Sequence, residues 1–292
     1  MVENRKGYDI FINVILILIC ICCVAPFVLL IASSFTAESS LIKDGYFFIP
    51  KEFSTEAYKF LLGDNSIFRA YGVTILLTAS GTAINLLITT MIAYPLSKQD
   101  MPGRSFFNFF VFFTMLFAGG LVPTYMMWTQ IFHIKNTFAA LLFPSLLTNG
   151  FTIMMMRSYF QQNIPPEVLE SARIDGANEF YILFKIVMPM SLPILATVGL
   201  MAGLMYWNDW NNNLYYITEP GLNSIQGLLN RMLTNAQYLK QTATMGNVGA
   251  ASVPTTAVRM AVAVLGAVPI LCIYPFFQKY FVKGMTMGAV KG

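Results

Sequence analysis

Long stretches without a charged residue alternate with short charged segments along the chain. Six windows of at least 19 residues contain no Asp, Glu, Lys or Arg and begin at residues 10, 70, 105, 136, 186 and 260. About 20 apolar residues in a helix cross a hydrocarbon core of about 30 Å, because each residue adds about 1.5 Å. The pattern predicts an all-α integral membrane protein with six transmembrane helices, at about 10–35, 70–96, 105–131, 137–157, 186–207 and 257–280.

Composition agrees with residence in a membrane. Of the 292 residues 56% are apolar and only 11% are charged, whereas soluble domains carry roughly 25% charged residues. This excludes a soluble enzyme, and the scattered basic residues exclude a nucleic-acid binder. Apolar helices buried inside a large soluble protein are the alternative, but they would require polar faces that the windows lack.

The basic residues predict the orientation. An even number of spans places both termini on one side, and the segments on that side hold ten of the 18 basic residues, including Arg5 and Lys6. Because basic residues near span ends favour the cytoplasm, we expect cytoplasmic termini. A cytoplasmic loop then lies at about 158–185 and an extracellular loop at about 208–256. We expect residues 1–292 to form a single membrane domain.

The windows and loops lack the groups that an energy-converting protein needs. No Asp, Glu, Lys or Arg lies in any of the six windows, although proton-coupled transporters generally carry such groups at depth. The chain has no phosphate-binding GxxxxGK[ST] loop, and its one histidine, His133, has no ligand-spaced partner. We therefore expect a non-catalytic subunit without a metal or cofactor of its own, driven by energy from another chain. These observations do not exclude a channel.

The predicted cytoplasmic loop has its own helical pattern. Pro165 and Pro166 are followed by Glu167 and Glu170, which is typical of a helix start. Gly176 interrupts that helix, so the pattern predicts two short helices joined at the glycine. An amphipathic segment lying in the lipid interface is the alternative that these features leave open.

The same loop carries a spaced motif. It reads Glu170-Ser171-Ala172, three residues, Gly176, nine residues and Ile186-Val187-Met188-Pro189. This resembles the EAA loop of bacterial ABC-importer permeases, and the whole chain is similar to the carbohydrate branch, in particular to the smaller maltose-transporter-type membrane subunit. Ser171 and Met188 depart from the usual Ala and Leu. The resemblance implies the fold of a type I ABC importer transmembrane domain.

The resemblance also implies a coupling role for residues 165–189, which would insert into a cleft on an ATP-binding subunit. Glu170 and Arg173 would supply charge complementarity, Ala172 and Gly176 close approach, and Leu169 an apolar anchor. The residues expected to couple to the ATPase subunit are Leu169, Glu170, Ser171, Ala172, Arg173, Asp175 and Gly176.

The end of the fifth window combines indole, amide and carboxylate groups in Trp207, Asn208, Asp209 and Trp210. Aromatic plates with polar neighbours suit sugars, so these four residues are candidates for the substrate pathway. An interfacial aromatic belt at a helix end is the alternative. The following segment resembles the loop through which such permeases contact a solute-binding protein, which implies contacts by Asn223, Gln226, Asn230 and Arg231.

Taken together, the resemblance implies a multi-pass permease subunit of the bacterial cytoplasmic membrane. It would form half of the pathway for a sugar or oligosaccharide. Its expected partners are a second homologous permease, two ATP-binding subunits that hold ATP and Mg, and an extracellular or periplasmic solute-binding protein. An importer for a non-sugar solute and a non-transporting membrane scaffold are the alternatives.

Overall fold

The computed structural model describes residues 6–63, 65–144, 146–244 and 255–289, most of them in helices. The first helices are α1 (Lys6–Ser34), α2 (Glu38–Asp44), α3 (Glu56–Leu62), α4 (Ser66–Ser97), α5 (Arg104–Leu116), α6 (Leu121–Met126) and α7 (Phe138–Leu142). The others are α8 (Gly150–Asn163), α9 (Pro166–Ile174), α10 (Glu179–Tyr181), α11 (Met188–Met190), α12 (Leu192–Asn208), α13 (Asn211–Tyr216), α14 (Ile225–Thr244) and α15 (Thr255–Ala289).

The remaining regular structure is small. Two π-helical turns, Met127–Ile131 and Ile182–Val187, follow α6 and α10, and a 3-10 turn, Pro220–Leu222, precedes α14. Within the described ranges, extended pairing is limited to one antiparallel bridge between Thr36 and Phe53. The predicted all-α class is therefore confirmed.

Two of the described helices are long and apolar enough to cross a membrane by themselves, namely Ile10–Ser34 within α1 and the whole of α4. Two bent pairs meet the same criteria together: α5 with Leu121–Ile131 bends by 110°, and Glu179–Met190 with α12 bends by 86°. The described residues thus contain two spanning helices, or up to four if each bent pair is one span. The number six and the cytoplasmic termini stay predictions.

Local backbone chemistry explains both bends. Phe117 ends α5 in an extended conformation, and Gly120 has a positive φ of 85° just before α6. At the second bend, Pro189 and Pro193 flank Ser191. Because proline has no backbone N–H, the helical hydrogen-bond ladder is interrupted on both sides of Ser191.

The window predicted as one span at about 137–157 differs in the structure. It contains α7 and most of α8, and the chain leaves the helix between them. Asn149 starts α8, because its Oδ1 accepts a hydrogen bond of 2.8 Å from the backbone N–H of Phe151. α8 then runs to Asn163, which is beyond the predicted end of the span.

The predicted extracellular loop at about 208–256 also differs, because it contains helices. α13 and the 20-residue α14 lie within it. Residues 245–254 of this loop lie outside the described residues. The extracellular position of this segment stays a prediction, and the segment is largely helical.

The chain divides into two compact units, and the first consists of Met1–Ile67 and Leu229–Pro269. Within it, the Glu38 carboxylate accepts hydrogen bonds from the backbone N–H of Thr256 at 2.9 Å and of Ala257 at 2.7 Å. These donors belong to the first turn of α15, where a negative charge is favoured by the helix dipole. Glu38 therefore fastens the start of α2 to the start of α15.

The second unit consists of Phe68–Leu228 and Ile270–Gly292 and holds two apolar clusters. One joins the last turns of α4 to α8, α9 and the Ile182–Val187 turn. The other joins the middle of α4 to α7 and α12 around Tyr206, whose hydroxyl donates to the carbonyl of Leu142 at 3.0 Å. The first cluster positions the predicted coupling residues, and the second positions the predicted pathway residues that follow Tyr206.

Candidate functional site

The segment with the EAA motif, residues 165–189, is called the EAA segment below. Pro165 precedes α9 and Pro166 occupies its first turn, with Glu167 beside it. At its other end Gly176 has a φ of +81°, its N–H donates to the carbonyl of Arg173, and the Ala177 N–H donates to that of Ala172, both at 3.0 Å. These two bonds close the helix and require a left-handed residue, which glycine supplies without strain.

The second helix of the EAA segment starts at once. The Asn178 Oδ1 accepts a hydrogen bond of 2.8 Å from the backbone N–H of Tyr181, which caps α10. The helix continues through the Ile182–Val187 turn, whose residues Ile182, Leu183 and Val187 are buried in the apolar cluster. The segment therefore consists of two helical pieces joined at Gly176, as predicted.

The faces of α9 differ from the expectation. Leu169 and Ala172, expected to face an ATP-binding subunit, pack inward against the apolar cluster of this chain. Positions three apart on a helix share one face, and here that face covers the chain's own core. The coupling role of Leu169 and Ala172 stays a prediction. The other predicted coupling residues, Glu170, Ser171, Arg173, Asp175 and Gly176, are exposed.

Apolar side chains that the sequence analysis did not single out occupy the outer face. Ile174 is 86% exposed, and Phe180 and Tyr181 are also largely exposed. Ile174 lies two positions after the buried Ala172, which turns it about 200° away around the helix. A helical projection anchored on Ala172 would have revealed it. The EAA segment thus carries an apolar tip formed by Ile174, Phe180 and Tyr181.

A charged cluster connects this segment to α4. Glu179, at the start of α10, pairs with Lys98 and accepts a hydrogen bond of 2.9 Å from the Tyr94 hydroxyl, both through Oε2. Its Oε1 lies 3.3 Å from Nε of Arg173. The Lys98 ammonium also lies 4.4 Å from the centre of the Tyr94 ring. We call Tyr94, Lys98, Arg173 and Glu179 the Glu179 cluster.

The electrostatics of this cluster favour the charged form of Glu179. Partial burial acts to raise the pKa of the carboxyl, but hydrogen bonds from Lys98 and Tyr94 and the positive charges of Lys98 and Arg173 outweigh it. The pKa of Glu179 is therefore below its usual range. The sequence analysis missed Glu179, since a single acid in a polar loop gives no sign of partners more than 80 residues away.

Other polar side chains fix the end of α4 beside this cluster. Arg104 and Arg157 each donate from Nε to the carbonyl of Leu96 at 3.2 Å, and Gln161 donates to the carbonyl of Ser97 at 3.0 Å. Positive groups at the last carbonyls of a helix are favoured by its dipole. The start of α5 and the end of α8 are thereby hydrogen-bonded to the end of α4.

The four residues predicted for the substrate pathway are not brought together. Trp207 and Asp209 are buried, whereas Asn208 and Trp210 are exposed. The Trp207 ring lies 6.4 Å from that of Tyr71 and lines an apolar cavity of about 500 Å³ between α4 and α12. The four residues therefore lie in different environments, two of them buried and two exposed.

Asp209 has a clear structural task. Its Oδ1 accepts hydrogen bonds from the backbone N–H groups of Asn211 at 3.1 Å and Asn212 at 3.2 Å, which start α13. Its carbonyl accepts a bond of 3.3 Å from Ser224. Burial raises the pKa of Asp209 to about 6, although the bonds from Asn212 and Asn211 act against the rise. Asp209, Asn212 and Ser224 are called the α12 end cluster.

The residues predicted to contact a solute-binding protein also divide. Asn223 is buried, and its amide donates to the carbonyl of Pro220 at 3.1 Å. Its contact with a solute-binding protein stays a prediction, for a side chain that is buried within this chain. Gln226, Asn230 and Arg231 lie on α14 and are half-buried. Among the described residues, no group of three or more His, Cys, Asp or Glu side chains could hold a metal ion.

Comparison with known proteins places the chain in a family. The family model described as "Binding-protein-dependent transport system inner membrane component" matches residues 1–287. Protein LplC of Bacillus subtilis (strain 168) is 38% identical over 92% of this chain and 90% of its own length. The polygalacturonan/rhamnogalacturonan transport system permease protein YtcP of the same organism is 35% identical over 99% and 100%.

A solved structure agrees with these relatives. It is a bacterial ABC transporter involved in the import of the acidic polysaccharide alginate, and one of its chains matches with a TM-score of 0.80 and 26% identity over 96% of this chain and 99% of that one. This match covers nearly the whole chain, so the similarity includes the overall fold and is not limited to the EAA segment. The chain therefore belongs to the binding-protein-dependent transport system inner membrane components, the non-catalytic membrane subunits of ABC importers whose ATPase activity lies on separate subunits.

Proposed function

We propose that this chain forms half of the membrane pathway of an ATP-driven importer for a sugar or oligosaccharide. A solute-binding protein delivers the solute, a second homologous permease supplies the other half, and two ATP-binding subunits bind ATP and Mg. The names of the relatives support the substrate class, because YtcP is named for polygalacturonan and rhamnogalacturonan and the solved transporter is described as importing alginate.

The apolar tip of the EAA segment carries the coupling proposal. Ile174 is 86% exposed at the end of α9, where Gly176 fixes the backbone and Leu169 and Ala172 hold the helix to its own core. Exposed apolar groups rimmed by charge are typical of protein interfaces. We infer that an ATP-binding subunit covers Ile174, Phe180 and Tyr181, with Glu170 and Asp175 at the rim.

The membrane topology belongs to the same proposal. Residues 1–292 form one transmembrane domain with six spans, both termini in the cytoplasm, in the cytoplasmic membrane of a bacterium. The six charge-free windows and the distribution of basic residues support it. On the outer side, exposed Asn208 and Trp210 are retained as pathway candidates. Gln226, Asn230 and Arg231 are retained as contacts for the solute-binding protein.

Replacing Ile174 with aspartate tests the coupling surface. The complex is purified through a tag on this chain, reconstituted in lipid vesicles, and assayed for ATP-driven uptake and for retention of the ATP-binding subunits. Ile174→Asp should reduce both by about tenfold, because a buried charge without a partner opposes docking. Ile49→Asp is the matched control, since Ile49 is 80% exposed in the predicted outer segment, and it should behave as wild type. Full uptake by Ile174→Asp would reject the proposed coupling surface.

The substrate class has a separate test. Vesicles with the wild-type complex and its binding protein are given neutral oligosaccharides, polygalacturonan fragments and a set of non-sugar solutes. ATP-driven uptake of a saccharide alone supports the proposal. Uptake of a non-sugar solute alone would assign an importer of another class, and no uptake with an intact, ATP-hydrolysing complex would favour a membrane scaffold.

A further inference from the structure

We propose that Glu179 is a positioning residue that ties the EAA segment to the end of α4, so that a displacement of the segment is passed to that helix. The proposal rests on the proposed function, because the displacement comes from the ATP-binding subunits. It adds to the proposed coupling surface a contact inside the chain that transmits the displacement.

The contact joins parts that are far apart in sequence. Glu179 belongs to the EAA segment, whereas Tyr94 lies in α4 and Lys98 directly follows it. The Oε2 atom contacts Tyr94 and Lys98, and the Oε1 atom contacts Arg173 of α9. One carboxylate therefore connects both helical pieces of the EAA segment with α4.

The partners of Glu179 are themselves fixed. Tyr94 is buried in the apolar cluster, and the Lys98 side chain is only 15% exposed and lies against the Tyr94 ring. An ion pair between two mobile surface chains contributes little, since each side chain must be ordered to form it. Here two of the three partners are already held by packing, so most of that ordering is complete before Glu179 binds.

Apolar packing alone would transmit motion poorly between these parts. Ala172, Ile182 and Val187 hold the EAA segment against the core, but apolar contacts are not directional and allow packed helices to slide. The hydrogen bonds of Glu179 have fixed lengths and directions. They select one register of the segment on α4, which gives Glu179 a task that the apolar cluster does not perform.

The carboxylates of α9 lack the arrangement seen at Glu179. In the part of the chain that the structure describes, Glu167 and Glu170 form no ion pair. Glu167 is exposed in the first turn of α9, outside the apolar tip and its rim. It therefore supplies a matched control, because Glu167→Gln removes one charge from the same segment without touching the Glu179 cluster.

The test measures ATP hydrolysis and solute uptake in the same vesicles. For Glu179→Gln we expect the ATP hydrolysed per solute transported to rise roughly fivefold, at the low end of coupling effects between sites. The ATP-binding subunits should stay bound, because the apolar tip is unchanged. Glu167→Gln should keep the wild-type ratio. A wild-type ratio in Glu179→Gln would overturn the proposal.

A second pair of variants decides the matter if Glu179→Gln does not assemble. Lys98→Arg retains the positive charge beside Glu179 and should keep the wild-type ratio, whereas Lys98→Gln should raise it. Any other pattern overturns the proposal. The proposed function fails separately: it is rejected if the wild-type complex shows no ATP-driven uptake, whereas a transporting wild type with a fully coupled Glu179→Gln rejects only the role of Glu179.

Discussion

The two ends of α4 are held by different chemistry. Near its start, Thr74 is buried and accepts a hydrogen bond of 2.8 Å from the backbone N–H of Ile225, next to Ser224 of the α12 end cluster. Beyond its last residue, Lys98 meets Glu179 in a charged cluster that is partly open to solvent. One end relies on buried, mostly uncharged groups, and the other relies on an ion pair in which Lys98 is mostly buried and Glu179 is half-exposed.

This difference indicates which end can move. A buried polar group that loses its partner pays a desolvation penalty of about 1–3 kcal/mol, whereas an exposed ion pair contributes about 0–1 kcal/mol and water replaces its partners. The α12 end cluster therefore resists rearrangement. The Glu179 cluster is partly open to water, which can solvate its charges as the cluster moves together with the EAA segment, so its displacement carries a smaller energetic penalty. α4 is thus anchored at one end and adjustable at the other.

Glycines distinguish the two regions as well. A Cβ added at Gly81, in the middle of α4, would lie 2.5 Å from Cε2 and Cζ of Tyr206. A Cβ added at Gly176 would meet nothing within 4 Å in the described chain, but the φ of Gly176 is +81°. At Gly81 lack of space disfavours a larger residue, whereas at Gly176 the left-handed backbone conformation disfavours one.

The largest effect is expected from Gly81→Ala. The added methyl overlaps the buried Tyr206 ring, so we expect a loss of at least about 3 kcal/mol of stability and little folded protein. Gly72→Ala in the same helix is the control, since its Cβ would meet nothing within 4 Å. Melting of the purified protein in detergent measures both. Equal melting temperatures would show that α4 and α12 are not packed as tightly as described.

A smaller effect is expected at Gly176. Gly176→Val forces a β-branched residue into a left-handed conformation, at about 1–2 kcal/mol, whereas asparagine tolerates it. We expect Gly176→Val to lower ATP-driven uptake and Gly176→Asn to retain most of it. If Gly176→Asn is as inactive as Gly176→Val, then close approach to a partner subunit, and not conformation, requires the glycine.

The smallest effect concerns pH. Because burial raises the pKa of Asp209 to about 6, the folded protein binds this proton more tightly than the unfolded chain. The resulting stability is fully present below about pH 4 and is lost as the pH rises through about 6, which amounts to about 1 kcal/mol between about pH 5 and pH 7. Asp209→Asn retains the cap of α13 and should remove that part of the pH dependence in detergent melting curves. An unchanged slope would mean that Asp209 is more solvated than its burial indicates.

Charge-free windows predicted the class of the fold but not the shape of each helix. The windows beginning at residues 105 and 186 mark segments that the structure bends at Gly120 and Ser191. Hydropathy reports whether a residue suits lipid and is insensitive to helix direction. The bend at Ser191 instead follows from the position of Pro189 and Pro193 on either side of that residue.

The site was predictable where chemistry is local. Pro165, Pro166 and Gly176 bound α9 through rules that act within a few residues, so the first helix of the EAA segment was expected. Glu179 and the inward face of Leu169 depend on α4, which lies about 80 residues earlier. One sequence contains no signal for such distant pairing, so neither the inward packing of Leu169 nor the contacts of Glu179 could be predicted from it.

The length of α4 gives its adjustable end a mechanical meaning. The helix has 32 residues, which corresponds to about 48 Å. From Thr74 to the last residue, Ser97, the distance is about 35 Å, and a stiff lever of that length that swings by about 5° carries its free end through about 3 Å. With the pivot near Thr74 and the force applied beside Lys98, a shift of the EAA segment by less than one helical turn would tilt the whole arm while leaving the pivot almost stationary.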